Sequence, residues 1–463
     1  MEPSFKLIKP TITPPLDEGF RPAVLANRAF QEMIAESNGI PLVLGLERED
    51  GFLSRLETRV LPEDHPQASA NLLYVERLVK FLLWQRGGWK VYVGGPLQIG
   101  MYIQNCYKPG GSRAFDCQFM EEVYEKPFSV VCCQPGDVPL AKEGGQPLGR
   151  HLDGCRIGFD LGASDRKVSA VNNGQVVYSE EVIWEPRKHG DPEYHYNEVM
   201  TALKSAAQKL PHVDAIGGSS AGIYINNCSM VASIFRGVPK ESYDQVKNLF
   251  LRIRHELEVP LEVVNDGDVA ALAGAMSLED NGVLGIALGS SEAAGYVSIT
   301  GNITGWLNEL AFAPIDYNPA GPADEWSGDI GVGSQYFSQQ CVFRLAPKAG
   351  IEIQGNTDAD RLKYVQEKLA AGHAGALQIW QSMGVYVGYG IAHYASFYDL
   401  KHVLLLGRCT SGKGGQIILD IANEVLQKEF PEIASRVSVQ LPDEKSRRVG
   451  QSIAAASLPV IHA

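Results

Sequence analysis

Four short apolar strand patterns in this chain end in turns built from glycine, serine, asparagine and acidic residues. These turns lie at Asp160–Ser164, Asn265–Asp268, Leu288–Glu292 and Leu404–Arg408. Helical patterns separate the strands along the chain, as in Glu198–Leu210 and Gln416–Lys428. Because strands and helices alternate, the sequence predicts an α/β architecture, and the polar strand ends are its candidate functional positions.

Composition excludes several classes of protein. The 463 residues carry 41 Lys and Arg against 54 Asp and Glu, a net charge of 41 − 54 = −13, which disfavours nucleic acid as a partner. No run reaches the roughly 18 apolar residues of a membrane span. The start, Met1–Ser4, has no apolar signal region, and the eight cysteines show no Cys-x-x-Cys spacing. These features predict a cytoplasmic protein with reduced thiols.

The first 150 residues form the predicted N-terminal part. The proline-rich residues 1–40 are expected to be irregular. A hairpin, a helix and a strand follow within residues 41–96, and the same order recurs within residues 156–220. Two interpretations remain open, namely a degenerate internal duplication or two unrelated α/β pieces. Residues 139–150, which lose apolar content and gain glycine and proline, are the predicted linker.

Two of the strand-end turns offer carboxylates for chemistry. Asp160 lies just inside a turn of small residues, where backbone amides can face a phosphate while the carboxylate holds Mg²⁺. Asp266 follows the apolar strand Leu261–Val264 and could accept a proton from a substrate hydroxyl. The simpler interpretation of Asp266 is an N-cap for the helix that follows.

Taken together, residues 156–463 resemble the ROK family (repressor, open reading frame, kinase) of sugar kinases, within the actin, hexokinase and heat-shock ATPase superfamily. The resemblance rests on the order and spacing of the turns. The family's Asp-x-Gly-Gly-Thr is similar to Asp160–Ser164, and its Glu-Asn-Asp-Ala-Asn is similar to Val264–Asp268. Its Gly-Glu-x-Gly-His is similar to Asn308–Phe312, and its adenosine-proximal Gly-Gly to Gly407-Arg408.

The resemblance implies a two-lobed ribonuclease H-like (actin-like ATPase) fold and ATP-dependent phosphorylation of a sugar hydroxyl. Asp266 would be the general base, Asn265 and Glu309 would bind neighbouring hydroxyls, and Asp160 would hold Mg²⁺. The resemblance assigns the nucleotide and its phosphates to Asp160, Gly162, Ser164, Gly289, Ser290, Gly407 and Arg408. The implied ligands are therefore a sugar, ATP and Mg²⁺, with a homodimer as one assembly that the resemblance admits.

This sequence departs from the family at three places. The family's second phosphate turn, Gly-Thr-Gly-x-Gly-Gly-Gly, is replaced by Gly289–Gly295, in which three glycines have become residues with a Cβ and Glu292 adds a charge. The zinc-binding His is Phe312 and the cysteine cluster is absent, so zinc is not expected. The family's second sugar-contacting Glu falls on Ser334.

A second motif, Gly407–Gly414, nearly matches a P-loop. Its last position is glycine rather than serine or threonine, so the hydroxyl that would bind Mg²⁺ is missing. Fewer than sixty residues follow it, too few for the remaining strands of a P-loop domain. A plain helix start is the preferred interpretation.

We therefore expect an accessory α/β domain at 1–150, a first lobe at 151–266 and a second lobe at 267–463, with the C-terminal helix returning to the first lobe. The leading hypothesis is an ATP-dependent sugar kinase. The alternative, motivated by the altered turn at 289–295, is a non-catalytic sugar or sugar-phosphate binding protein on the same fold.

Overall fold

The computed structural model describes residues 6–143, 148–442 and 444–461. Strands and helices alternate throughout, which confirms the predicted α/β class. The strands are β1 (Ile40–Glu47), β2 (Leu53–Val60), β3 (Lys90–Gly94), β4 (Ser129–Cys133), β5 (Cys155–Leu161), β6 (Asp165–Asn172), β7 (Gln175–Ile183), β8 (Ala215–Ser220), β9 (Ile223–Ile225), β10 (Cys228–Val231), β11 (Leu261–Asn265), β12 (Val283–Leu288), β13 (Glu292–Val297), β14 (His402–Leu406) and β15 (Ser438–Gln440). The helices are α1 (Ala23–Glu36), α2 (Ala70–Arg86), α3 (Leu97–Cys106), α4 (Ala114–Tyr124), α5 (Pro192–Ala207), α6 (Tyr243–Lys247), α7 (Leu249–Leu257), α8 (Asp266–Leu278), α9 (Gln339–Leu345), α10 (Asp358–Ala370), α11 (Ala374–Tyr394), α12 (Lys413–Glu429), α13 (Pro431–Ala434) and α14 (Glu444–Ala456).

The described residues form two compact units. The first unit takes its residues from Met1–Gly144, Ile286–Ala293 and Trp306–Leu441, and the second from Gly145–Gly285, Ala294–Gly305 and Pro442–Ala463. One change of unit, between Gly144 and Gly145, falls within the predicted linker 139–150, whereas none falls at 266, and the N-terminal stretch joins later parts of the chain in one unit. The N-terminal residues cluster with later parts of the chain because α1 packs on α11 and α2 packs on the 3₁₀ turn Leu310–Phe312. Residues 144–147 of the predicted linker lie outside the described residues.

The second unit contains a five-stranded sheet in the order β11-β8-β5-β6-β7. Strands β11, β8 and β5 are parallel, whereas β6 is antiparallel to both β5 and β7. The β6–β7 hairpin turns at Asn173-Gly174, where both residues have positive φ, as a tight hairpin requires. Helix α14 packs on β5 and β8, and α8 packs on α14.

Glycines on the sheet allow α14 to lie close to it. A Cβ added at Gly158 would lie 2.2 Å from the Ser452 carbonyl oxygen, and one at Gly217 would lie 1.7 Å from that of Ala455. Any side chain at these two strand positions would therefore push the helix away. The C-terminal helix belongs to the sheet of the second unit.

The first unit begins with a sheet in the order β2-β1-β3-β4. Strand β3 runs antiparallel to β1, whereas in the second unit β8 runs parallel to β5. The difference arises because two strands precede the helix in the N-terminal segment and three precede it in the second unit. The topology therefore argues against an internal duplication, and two unrelated α/β pieces describe the chain better.

The N-terminal residues are more regular than predicted. Residues 23–36 form α1, with Phe30 and Ile34 buried, and α3 and α4 occupy residues 97–124. The prolines before Ala23 hide a helical stripe that begins directly after Pro22. Pro22 stands at the N-cap position, where the helix requires no amide donor.

The remainder of the first unit surrounds the strand pair β14–β15, which is parallel and lies in a sheet of order β13-β12-β14-β15. Helix α11 is almost entirely buried beside α12. A Cβ at Gly384 or Gly388 would lie 2.7 Å from Ile421 or 2.6 Å from Val425. These glycines let the two helices approach closely.

Candidate functional site

Three parallel strands of the second unit bring the predicted catalytic residues to one sheet edge. In the strand register, Asp160 on β5 lies opposite Ser219 on β8, and Asn265 on β11 lies opposite Ser220. Asp266 follows Asn265 directly. In open α/β sheets, ligands bind outside the carboxyl ends of parallel strands, and this edge is such a position.

Asp160 is held by a hydrogen bond from its neighbouring strand. The Ser219 hydroxyl donates to Asp160 Oδ1 at 2.7 Å, and Lys167 Nζ lies 4.0 Å from Oδ2. Burial raises the pKa of Asp160, and these two groups oppose the shift. Among the described residues, no close hydrogen bond reaches the other oxygen, Oδ2, and a carboxylate oxygen is a suitable Mg²⁺ ligand.

Asp266 is not the N-cap of α8. Asn265 takes that position, because its Oδ1 accepts a hydrogen bond from the Gly267 amide at 2.7 Å. The Asn265 Nδ2 donates to the Gly222 carbonyl at 2.8 Å, so this side chain ties the strand end to the neighbouring loop. The N-cap interpretation of Asp266 was therefore wrong by one residue, and Asn265 has a structural role besides any contact with substrate.

Asp266 is the first residue of α8 and has a strongly altered acidity. Burial, followed by the negative charge of Asp160, raises its pKa from 3.8 to about 6. The Gly267 amide donates to Asp266 Oδ1 at 2.9 Å and works against this shift. A carboxyl with such a pKa changes protonation near neutral pH, as a general base must.

Two glycines fix where α8 begins. A Cβ at Gly295 would lie 2.1 Å from the Gly267 carbonyl carbon, and a Cβ at Gly267 would lie 2.4 Å from the Ala294 carbonyl oxygen. The Asp268 carboxylate also accepts a hydrogen bond from the Tyr296 amide at 3.2 Å. The backbone of β13 thus contacts the first turn of α8 directly and fixes the position of Asp266.

The turn between β5 and β6 carries the predicted phosphate-binding residues Gly162 and Ser164. The Gly162 amide donates to the Asp165 carbonyl, and the Gly162 carbonyl accepts a hydrogen bond from the Trp184 indole at 2.8 Å. Ser164 is exposed, and its hydroxyl donates to Asp165 at 3.2 Å. The turn is therefore anchored by its backbone, with the serine side chain on the surface.

In the first unit, the turn after β12 leaves its serines exposed but buries Glu292. Ser290 and Ser291 are exposed, and the Gly289 amide donates to the Ser291 carbonyl. Glu292 is 3% exposed and accepts a hydrogen bond from the Tyr394 hydroxyl at 2.8 Å. Burial, with a smaller effect of Glu309, raises its pKa to about 8. At neutral pH this pKa favours the protonated, uncharged form of Glu292, so the charge that the sequence adds to this turn is buried and largely neutralised.

Gly407 places the end of β14 against the end of β12. Its φ is +91°, a conformation that residues with a Cβ rarely adopt, and a Cβ there would lie 2.5 Å from the Leu288 carbonyl oxygen. Both the backbone conformation and the lack of space therefore require glycine. Arg408 is exposed, and its carbonyl accepts a hydrogen bond from the Gln366 amide group at 2.8 Å. The first unit therefore brings Gly407 next to the Gly289 turn and leaves the Arg408 side chain on its surface.

Glu309 is half-buried at the start of a segment that packs on α2. Phe312, at the position of the family's zinc ligand, packs against Trp84 with ring centroids 4.4 Å apart and against Trp326 at 5.4 Å. Ser334 donates to Asp324 at 2.7 Å, and Asp324 also accepts from the Ser327 amide. Aromatic packing and hydrogen bonds thus hold this region where the family would have a metal.

Sequence reasoning missed the contribution of β8. Ser219 and Ser220 are both buried at the strand end. The Ser219 hydroxyl donates to Asp160 at 2.7 Å, and the Ser220 hydroxyl accepts from the Tyr224 hydroxyl at 2.7 Å. The run Gly217–Ser220 was visible as small residues at a strand end. Its role depends on pairing with β5, which sequence spacing does not reveal.

A separate group of metal-capable atoms lies at the start of β5. Cys155, His212 and Asp214 bring their ligand atoms within 4.8 Å of one another. The Asp214 carboxylate already accepts a hydrogen bond from the Cys155 amide at 2.7 Å and lies 3.2 Å from His212 Nε2. The group is at the opposite end of β5 from Asp160.

No protein-family model matches the chain, and no curated protein is significantly similar to it in sequence. Solved structures do match. A ROK hexokinase from Thermus thermophilus aligns with a TM-score of 0.51 and 16% identity over 65% of this chain and 98% of that one. A ROK transcriptional regulator, a homologue of the E. coli MLC protein, aligns with a TM-score of 0.53 and 16% identity over 66% of this chain and 79% of that one.

The chain has the fold of ROK proteins. A ROK glucokinase from Streptomyces griseus, in complex with glucose and AMPPNP, also matches, with a TM-score of 0.48 and 21% identity over 65% of this chain and 99% of that one. The predicted ribonuclease H-like (actin-like ATPase) fold of the ROK sugar kinases is therefore confirmed. Within the described residues, no helix combines the length and apolar character needed to cross a membrane.

Proposed function

We propose that this protein phosphorylates a sugar hydroxyl with ATP, with Asp266 as the general base. The observation that carries the proposal is the Asp266 carboxyl, at the carboxyl end of β11 and the first turn of α8, with a pKa raised to about 6. General bases act best when their pKa lies near the working pH. The fold comparison supports the fold alone, and the proposed role rests on the geometry of the site.

The proton transfer follows from the surroundings of Asp266. Above pH 6 the carboxylate is ionised and can accept the proton of an alcohol within hydrogen-bonding distance. Its Oδ1 is held by the Gly267 amide, so Oδ2 is the oxygen assigned to the substrate. As Asp266 takes its proton, the hydroxyl oxygen would attack the terminal phosphorus of ATP, the bond from that phosphorus to the β–γ bridging oxygen would break, and ADP would leave.

Asp160 and the glycine turns are assigned to the nucleotide. The Asp160 carboxylate is suited to Mg²⁺, which when bound neutralises charge on the transferring phosphoryl group. Gly162 and Ser164 in the second unit, and Gly289, Ser290, Gly407 and Arg408 in the first, are the proposed phosphate and nucleoside contacts. The buried, uncharged Glu292 removes the repulsion that this turn would otherwise exert on an anionic ligand.

Asn265 and Glu309 are the proposed ligands of neighbouring sugar hydroxyls. Partly buried amide and carboxylate groups discriminate strongly among sugars, because an analogue that lacks a hydroxyl leaves them unpaired. Ser334 cannot replace a sugar-contacting glutamate, since its hydroxyl is committed to Asp324 in a buried hydrogen bond. The sugar pocket therefore differs from that of a kinase with glutamate at this position.

The test is Asp266→Asn, measured in a phosphorylation screen of hexoses and N-acetylated amino sugars with ATP. We expect normal folding and retained ligand binding, with turnover lowered by about 10²–10⁴, the usual contribution of a general base. Asp268→Asn is the matched control, because it removes a carboxylate from the same helical turn while its amide oxygen can still accept from the Tyr296 amide. Equal turnover in wild type and Asp266→Asn would remove Asp266 from the mechanism.

The alternative is a non-catalytic sugar or sugar-phosphate binding protein. The observation that favours it is the turn Gly289–Gly295, where Ser291, Ala293 and Ala294 carry a Cβ at positions that are glycine in the family's second phosphate turn. Calorimetry separates the two functions. Heat from a sugar together with no heat from millimolar magnesium-ATP would support the binding protein, whereas nucleotide binding and turnover support the kinase.

A further inference from the structure

Glu309 belongs to a segment, residues 308–334, that closes on itself within the first unit. The Ile315 amide donates to the Gly331 carbonyl at 2.8 Å, and the Gly333 amide donates to the Ala313 carbonyl at 3.0 Å. Glu309 and the 3₁₀ turn Leu310–Phe312 stand at the entrance to this closed loop. The position of Glu309 therefore depends on what holds the segment.

The first anchor is the carboxyl end of α2. The last carbonyls of a helix have no partner within the helix. Here the Asn308 amide donates to the Gln85 carbonyl and the Glu309 amide donates to the Trp84 carbonyl, each at 2.9 Å. The backbone of Glu309 is thus fixed directly by α2.

The second anchor is an aromatic cluster. Phe312 packs against Trp84 on α2, and both Phe312 and Trp326 pack against Phe115 and Phe119 on α4. Phe312 is 5% exposed, so its ring is almost completely removed from water. Phe312 and Trp326 lie near the two ends of residues 310–327, so the cluster holds this stretch at both ends.

The third anchor is ionic. Asp329, from the far side of the segment, pairs with Lys80 on α2 and with Arg113 just before α4. The Lys80 side chain is fully buried and also binds Asp116 at 2.9 Å. Arg113 binds Glu76 at 2.5 Å.

The charges in this network balance only when Asp329 is included. Lys80, Arg77 and Arg113 supply three positive charges, and Glu76, Asp116 and Asp329 supply three negative ones. Removal of one partner from a buried ion pair leaves an uncompensated charge, whereas apolar packing of similar volume is often as stable as the pair. Such a network is therefore better explained by a need for fixed geometry than by stability.

We infer that α2 and α4, with the adjoining Arg113, position the sugar-binding segment, and that Asp329, Lys80 and Arg113 are positioning residues for the contact between Glu309 and the sugar. The inference rests on the proposed role of Glu309 in sugar binding. The inference assigns a role in positioning the segment to the N-terminal part of the chain, because α2, Arg113 and α4 supply all three anchors. The residues themselves need not touch the ligand.

The test compares Asp329→Asn with Asp116→Asn. Both variants remove one carboxylate from Lys80, but only Asp329 belongs to the segment. We expect Asp329→Asn to raise the sugar KM by about tenfold or more, and Asp116→Asn, which leaves Asp329 in place on the segment, to raise it by clearly less. The ATP KM of both variants should stay within about twofold of wild type. Asp329→Glu restores the charge and should recover most of the sugar affinity. Equal sugar KM values in wild type and Asp329→Asn would overturn the inference.

Hydrogen exchange gives a second measurement. Amides of residues 308–334 should exchange faster in Asp329→Asn, and those of β5 and β8 should not. If Asp329→Asn does not fold, Arg113→Lys takes its place, because a single ammonium group cannot bridge Glu76 and Asp329 as the guanidinium does. Unchanged exchange and an unchanged sugar KM in Arg113→Lys would also refute the inference.

The failure of the proposed function is distinguishable from the failure of this inference. Calorimetry measures the sugar dissociation constants of each variant and of the wild type, and their ratio replaces the ratio of sugar KM values when there is no turnover. A wild-type chain that binds sugar without turnover refutes the kinase, and the ratio for Asp329→Asn then decides the inference. A wild-type chain that binds no sugar in the screen overturns both.

Discussion

Glu292→Gln should make the first unit more stable at neutral pH. Glu292 is buried, its Oε1 accepts from Tyr394, and its Oε2 has no hydrogen-bond partner among the described residues. Glutamine has the shape of the protonated acid but cannot ionise. In the folded protein the pKa of Glu292 is raised from 4.5 to about 8. Between these two values Glu292 ionises in the unfolded chain but not in the folded one, so ionisation stabilises the unfolded state and lowers the free energy of unfolding of the wild type.

The magnitude follows from the two pKa values. Because the folded pKa is raised, the stabilising contribution is fully present below pH 4.5 and is lost as pH rises towards 8. Each pH unit in this window removes about 1.36 kcal/mol, so from pH 5 to pH 8 the wild type should lose about 3.5 kcal/mol relative to Glu292→Gln. Above pH 8 both states ionise and the difference should level off.

Urea unfolding followed by tryptophan fluorescence at pH 5, 6.5 and 8 measures this difference. Of the six tryptophans, only Trp184 lies in the second unit, so the signal reports mainly on the first. Tyr394→Phe serves as the control, because it removes the hydrogen bond and leaves the titrating group. Parallel pH dependence of the unfolding free energy in wild type and Glu292→Gln would refute the reasoning.

Two further predictions concern Asp266. Turnover should rise with pH through about 6 as Asp266 loses its proton, which a pH–rate profile measures. In Asp160→Asn the pKa of Asp266 should be lower, because the negative charge that raises it is gone; a titration of the carboxyl carbon by NMR without Mg²⁺ or ATP measures the shift, and an unmoved pKa would exclude electrostatic coupling between the two carboxyls. Gly295→Ala should lower turnover by about tenfold or more, because its Cβ would displace the first turn of α8, while sugar binding through Glu309 persists. Kinetics measure the turnover and calorimetry measures the sugar binding. Turnover equal to that of wild type would show that the close contact between Gly295 and Gly267 is not needed.

Local patterns predicted much of the fold. The strand patterns that end at Leu161, Val264, Leu288 and Leu406 are strands in the structure, and their turns lie where the sequence indicated. These features are determined by neighbours in the chain, such as the apolar run of a buried strand and the glycine that follows it. The resemblance built on them identified the fold correctly.

Predictions failed where the partner is distant in sequence. The sequence showed a charge at Glu292 but not its burial, because its hydrogen-bond partner Tyr394 is 102 residues away. The expectation of an accessory domain at 1–150 did not include the packing of α2 on Leu310–Phe312. Asp266 is the first residue of α8 and not its N-cap. The N-cap is Asn265, because its side-chain oxygen accepts the hydrogen bond from the Gly267 amide. Burial and pairing of this kind depend on three-dimensional contacts that local spacing does not encode.

The packing of α14 on Gly158 and Gly217 has a consequence for how this chain can be produced and shortened. The helix is synthesised more than 200 residues after β8, so the apolar face of that sheet stays uncovered while residues 221–443, which include most of the later part of the first unit, are translated. A chain truncated before residue 444 would leave this face open to solvent and to other chains, and the damage would appear as aggregation rather than as a loss of one helix. Expression fragments should therefore keep α14, even when only the second unit is wanted.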